Sequence, residues 1–197
     1  QAEADVSKTL PVAQMRKTLM EQSDDLFNYY LVNRFNHAKL ETAVSDIIDN
    51  SISASAKNIW INFEWKGSNT WLSIKDDGIG MNGEELVQAM RPGSKNPLKK
   101  RNEKDLGRFG LGLKTASFSQ ARKLTVISKK VNYIPVYWTW DLDFVNKMGS
   151  WDLVKYLPDE NLKTEILKLE SGTIVMWNDI DRVVKDFNED DTNAEYK

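Results

Sequence analysis

The stretch richest in chemistry is Gly107-Arg108-Phe109-Gly110-Leu111-Gly112, which runs into Leu113-Lys114-Thr115-Ala116-Ser117. Three glycines at spacings of three and two precede small and apolar residues that read as a helix over Leu111–Gln120. A helix N-terminus behind glycines is an anion site, because its free N–H groups point outward and its dipole favours negative charge. Lys114 adds a point charge and Thr115 a hydroxyl. The stretch is not a P-loop, since Leu113 stands where that motif needs lysine, and no suitable strand leads into it to make a dinucleotide fingerprint. Taken alone, it reads equally well as a flexible hinge.

A second candidate is the carboxylate of Asp76. Leu72, Ile74 and Asp76 alternate with period two, which puts them on one face of a strand over Trp71–Lys75. Two of the three are apolar, so the shared face is the buried one. A carboxylate at the edge of a core is costly unless hydrogen-bond donors meet it, and an exocyclic amino group of a flat base is such a donor. Gly78 and Gly80, flanking Ile79, let backbone approach a flat ligand closely. Asp76-Asp77-Gly78 alone is equally the start of a turn.

The third candidate is a helix between Ala43 and Ala54. Val44, Ile47, Ile48 and Ile52 form one face, and Asp46, Asp49, Asn50 and Ser53 the opposite one. On a solvated helix the polar face has no further meaning. Facing a pocket, Asn50 would offer an oxygen to Mg²⁺, which takes one or two protein ligands plus phosphates. Asp46, one turn earlier, would hold a water.

These residues need a scaffold, and the rest of the chain supplies one. The text reads as helical from Pro11 to Ser55, with a break near Asn33–Asn36. Residues 58–65 alternate as a strand, with Ile59, Ile61, Phe63 and Trp65 on one face, and Gly67-Ser68-Asn69 turns them into the Asp76 strand. A short helix covers Glu84–Met90 before Pro92-Gly93. Further strands are expected over Lys123–Lys129, Tyr133–Asp141 and Thr173–Asn178, the second beginning at an edge or bulge because of Pro135. A helix is expected near Glu160–Leu167. One helical group and one mostly antiparallel sheet make an α+β layer sandwich.

Composition narrows the chemistry. The 197 residues have a formal net charge of −2, 41% hydrophobic residues, 7 Trp, 7 Phe and 6 Tyr, enough for one sizeable core. There are no cysteines, which removes disulfides and thiol chemistry and suits a cytoplasmic protein. The single histidine, His37, excludes a His-rich metal site and argues against a Ser-His-Asp triad. No apolar run approaches a membrane span. The chain begins at Gln1 rather than Met, as expected of a piece of something longer.

In this order and spacing, the pieces resemble the GHKL ATPase superfamily of gyrase B, Hsp90, histidine kinases and MutL. Asp46-x-x-Asp49-Asn50-Ser51-Ile52 is similar to its first box, Asp76-Asp77-Gly78-Ile79-Gly80-Met81 to its adenine box, and Gly107-x-Phe109-Gly110-x-Gly112 to its phosphate-binding box. Ser171-Gly172-Thr173-Ile174-Val175 is similar to its late strand. Gly93-Ser94-x-x-Pro97 and Gly112-Leu113-Lys114 look most like MORC-type proteins and their bacterial relatives.

The resemblance implies a Bergerat-type two-layer α/β sandwich over residues 21–182, an N-terminal extension over 1–20 and an acidic tail or linker over 183–197. It implies ATP and Mg²⁺ as cofactors. Asp76 would accept from the adenine amino group, sharing a water with Thr173, and Gly78, Gly80 and Met81 would pack near the base. Asn50 would complete the Mg²⁺ shell and Asp46 would be the catalytic base. Residues 94–112 would form an ATP lid, with Ser94, Lys95, Gly107, Phe109, Gly110, Leu111, Gly112 and Lys114 near the phosphates. The expected partners are ATP/ADP and, on ATP binding, a second copy of the chain, with room for nucleic acid through other domains and no membrane. The compartment would be cytoplasmic, or nuclear for a eukaryotic MORC-type protein.

One departure bears on the rate. The family's base is usually Glu, and Asp46 is shorter by one methylene, ~1.5 Å. Displacement of that size from reacting geometry costs on the order of 100-fold. Slow hydrolysis, or a nucleotide-gated binding module with negligible turnover, follows from it. A histidine-kinase-type catalytic domain is a third reading, disfavoured because no dimerisation helix pair is readable. Between Lys95 and Arg108 six basic residues outnumber two acidic ones, a balance that would draw the loop towards a triphosphate.

Overall fold

The computed structural model describes residues 39–91, 112–150 and 152–181. The expected N-terminal extension and C-terminal tail lie outside these residues, as do positions 94–111 of the expected lid.

Helix α1 spans Leu40–Ser53 and buries Ala43, Ile47 and Ser51, one residue per turn. The buried seam is rotated relative to the expected one: Val44 and Ile48 are half-buried and Ile52 is 53% exposed. The cause lies at the helix end, where the seam meets the turn after β2 and a small hydroxyl fits against a carboxylate.

Five strands follow: β1 (Ile59–Glu64), β2 (Trp71–Asp76), β3 (Ala121–Lys129), β4 (Val136–Asp141) and β5 (Gly172–Ile180). They form one sheet in the order β1-β2-β5-β3-β4, with each neighbouring pair antiparallel. The last strand in the sequence therefore lies at the centre. A short 3₁₀ turn over Gly67–Asn69 joins β1 to β2. Strand β4 starts just after Pro135 and is an edge strand, where a missing N–H is tolerated.

Alternation sorts the strand residues onto two faces. Leu72 and Ile74, Leu124 and Val126, and Val175 and Trp177 join the main core with Ala43 and Ile47 of α1. Helices α2 (Gly83–Met90) and α3 (Gly112–Gln120) complete that layer through Leu86, Met90, Ala116 and Phe118. Burying side chains such as Leu86 and Phe118 stabilises the layer by about 2 kcal/mol each. On the opposite face Ile127, Ile174 and Met176 pack with Leu162 and Ile166. Those two belong to the small helix over Asn161–Leu167, so one patch of the sheet is covered on both sides.

The helix over Leu142–Met148, α4, was not legible in the text (Asn161–Leu167 is then α5). Its start is capped by Asp141, which accepts from the amides of Asp143 at 2.9 Å and Phe144 at 3.2 Å. Its end is Gly149 at φ 62°, in the left-handed region. Strand β1 also differs from a core strand. As an edge strand it leaves Ile61 and Phe63 exposed on one face and Trp60 on the other, with Trp65 exposed beyond it.

The register aligns one row of residues across the sheet. Ile59 faces Asp76, Asp76 faces Thr173, Thr173 faces Ser128 and Ser128 faces Val136. The three central members are polar and lie on the helix-covered face, at the ends of their strands.

Candidate functional site

Asp76 forms the floor of the site. It ends β2 with 5% of its surface exposed. Its Oδ1 accepts from the Gly78 amide at 2.9 Å, and its Oδ2 from the Ser51 hydroxyl at 2.9 Å. Burial pushes its pKa up from the ordinary 3.8, and the charge of Asp77 adds to that effect. The Gly78 amide, the Ser51 hydroxyl and the Thr173 amide work against it by favouring the anion. The result is a buried acceptor whose remaining lone pairs suit an amino donor.

The glycines of this turn serve the protein's own backbone. A Cβ at Gly80 (φ +62°) would lie 1.9 Å from the Lys129 carbonyl oxygen, and one at Gly78 would lie 2.8 Å from that of Ala54. Close approach of β3 and of the end of α1 is therefore enough to require glycine at both positions. Asp77 ties the turn down: it accepts from the Lys57 amide at 2.7 Å, the Asn58 amide at 2.8 Å and the Asn58 side chain at 2.8 Å. Those bonds, led by the Asn58 amide, hold its pKa below the usual value. Ile79 donates its amide to Ala54 at 3.0 Å, and Ser171 donates its hydroxyl to the Gly78 carbonyl at 2.8 Å.

Thr173 stands opposite Asp76, buried, with its hydroxyl 2.8 Å from that of Ser128. Ser128 also donates to the Gly172 carbonyl at 3.0 Å and accepts from the Met81 amide at 2.8 Å. Neither Ser51 as a donor nor Ser128 in any role is among the residues expected at the site. Ser128 had a signal: it interrupts the apolar alternation of Leu124 and Val126 with a hydroxyl at the strand end. Met81 is half-buried against the main core.

Asp46, Asp49 and Asn50 are exposed along the outer side of α1. Partial burial raises the pKa of Asp46, and the charge of Asp49 raises it further. A cation beside them would relieve that repulsion. Among the described residues no group of three or more His, Cys, Asp or Glu side chains converges on one point. The donors present fit a cation that one amide oxygen and ligand phosphates would share, and do not fit a metal caged by protein alone.

Lys114 is held within the protein itself. Its side chain is 1% exposed, and Nζ donates to the carbonyls of Ala89 and Arg91, each at 2.8 Å. It therefore caps the C-terminus of α2, where the dipole attracts a cation. Trp140 Nε1 donates to the Met90 carbonyl at 2.9 Å beside it. Gly112 begins α3, and Thr115 on the same helix is half-buried. Ser94, Lys95, Gly107, Phe109, Gly110 and Leu111 lie outside the described residues.

Comparison with known proteins fits this geometry. Residues 38–173 match the family model described as histidine kinase-, DNA gyrase B- and HSP90-like ATPase. ATPase morc-1 of Caenorhabditis elegans is 29% identical over 111 residues, covering 56% of this chain and 13% of the relative. The chaperone protein HtpG of Helicobacter pylori (strain ATCC 700392 / 26695) is 35% identical over 131 residues, 60% of this chain and 20% of the relative. ATPase MORC2B of Mus musculus is 27% identical over 141 residues, 70% of this chain and 14% of the relative. The matched region is thus a fifth or less of each of these relatives. No helix among the described residues is long and apolar enough to cross a membrane.

Proposed function

Because the chain belongs to the histidine kinase-, DNA gyrase B- and HSP90-like ATPase family, we propose that it binds ATP with the adenine 6-amino group on Asp76 and hydrolyses it slowly with Mg²⁺. The observation that carries this reading is the buried Asp76 carboxylate, held by Ser51 and Gly78 and facing Thr173 across the strand pair. An acceptor of this kind gains most from a donor that arrives with its own desolvated ring.

At the other end Asn50 would offer its oxygen to Mg²⁺, and Asp46, one turn earlier, would orient the attacking water. When bound, the ion neutralises charge developing on the phosphates. Asp46 needs to be ionised to take a proton from that water, and its raised pKa brings it nearer to the pH at which a base works well. Residues 94–112, the lid that the resemblance implies, would close over the nucleotide. Closure would couple nucleotide state to pairing of two copies within a larger protein.

A nucleotide-gated module with negligible turnover is the second reading, and the short Asp46 side chain favours it. Calorimetry with ADP and phosphate release under Mg²⁺ separate the two. The first reading expects both binding and release, with release lost in Asp46→Ala. Release that persists undiminished in that variant would remove Asp46 from the role.

A further inference from the structure

Ser128 lies in the row Asp76–Thr173–Ser128 but outside every box of the resemblance. It is fully buried, and three neighbours meet its hydroxyl: the Gly172 carbonyl at 3.0 Å, the Met81 amide at 2.8 Å and the Thr173 hydroxyl at 2.8 Å. A serine hydroxyl has one proton and two lone pairs. The Met81 amide can only donate, so it takes one lone pair. The Gly172 carbonyl can only accept, so it takes the proton. The remaining lone pair can bond to Thr173 only if Thr173 is the donor. That single arrangement satisfies all three contacts, and it turns the Thr173 proton away from the site. Thr173 then presents lone pairs alone beside the Asp76 carboxylate.

We propose that Ser128 is a positioning residue that sets base specificity: by holding the Thr173 proton it makes the base-binding end an all-acceptor edge. This rests on the reading of the site as an adenine pocket. Such an edge accepts the 6-amino group of adenine, or a water that donates in its place. It repels a base with a carbonyl at position 6, because that oxygen meets Asp76 and Thr173 with no donor between them. Without Ser128 the Thr173 proton is released, and the hydroxyl can turn to donate to such a carbonyl. The Met81 amide also loses its acceptor, which weakens every base alike.

The test is calorimetry of the full chain with ADP and with IDP, whose base carries a carbonyl in place of the amino group. The native chain is expected to prefer ADP. Ser128→Ala is expected to reduce the ADP/IDP preference by roughly three- to tenfold, the scale of one net hydrogen bond. Ser128→Cys, which keeps the volume but is a weak acceptor, is expected to move the ratio in the same direction and guards against a folding failure of the alanine variant. A role in packing alone lowers both affinities by one factor, so an unchanged ratio in the variants overturns the proposal while the adenine reading stands. If the native chain binds no ADP, the adenine reading fails and this inference fails with it.

Discussion

The two ends of the site are built differently. At the Asp76 end the side chains are buried or half-buried and each is tied to a neighbouring strand or turn: Ser51 and Gly78 to Asp76, Ser171 to Gly78, and Ser128 to Thr173 and Met81. At the α1 end Asp46, Asp49 and Asn50 stand exposed on a helix face. A hydrogen-bonded row on a sheet is pre-organised and loses little entropy when a ligand docks. Exposed helix side chains, on the proposed reading, would take their working geometry only when phosphates and a cation arrive. On the proposed reading, base recognition would be built into the fold, whereas hydrolysis would wait on the ligand.

The largest effect that this contrast predicts is on turnover. Asp46→Ala should lower phosphate release by about 100-fold or more, the usual value of a general base, while ADP affinity by calorimetry stays within about threefold. A comparable loss of affinity would mean that the two ends are not separable. Next is Lys114→Met, which strips two carbonyls at the end of α2 of their donor. Denaturant unfolding should show a loss of about 1–3 kcal/mol. An effect on nucleotide affinity with no effect on stability would return Lys114 to the phosphates.

A third prediction uses pH. The folded-state pKa of Asp76 is raised above the ordinary 3.8, so between those two values the folded chain holds a proton that the unfolded chain does not. Acidification through that window should increase the stability contribution of this group, because a buried charge disappears. It should decrease ADP affinity, because the acceptor becomes protonated. Affinity and stability moving together would argue against Asp76 as the base acceptor. Smallest is Ser51→Ala, expected to weaken ADP by about fivefold through loss of one hydrogen bond to the carboxylate.

Much of this architecture was legible in the residues. The alternation of Leu72, Ile74 and Asp76 located the buried carboxylate, and Thr173 came to lie opposite it. The short helix expected over Glu84–Met90 is α2, which starts one residue earlier at Gly83 and ends at Met90. What stayed hidden was decided by pairings between distant segments. The insertion of β5 between β2 and β3 brings Ser128 beside Thr173, 45 positions away. The burial of Lys114 depends on where α2 ends relative to α3, which no local pattern encodes. The seam of α1 turned because Ser51, at its last turn, answers to Asp76 from β2. Helix α4 has local end signals, the cap at Asp141 and the exit at Gly149, but its seven residues are too few for a helical period to stand out.

The central claim is that the buried carboxylate of Asp76 receives an adenine amino group. The direct measurement is isothermal titration of ADP into the native chain and into Asp76→Asn, with thermal unfolding of both. Loss of a charge-assisted hydrogen bond predicts about a ten- to hundredfold weaker affinity in the variant. Relief of a buried charge predicts an unfolding temperature no lower than that of the native chain. Equal ADP affinity in the two, with both folded, would contradict the account.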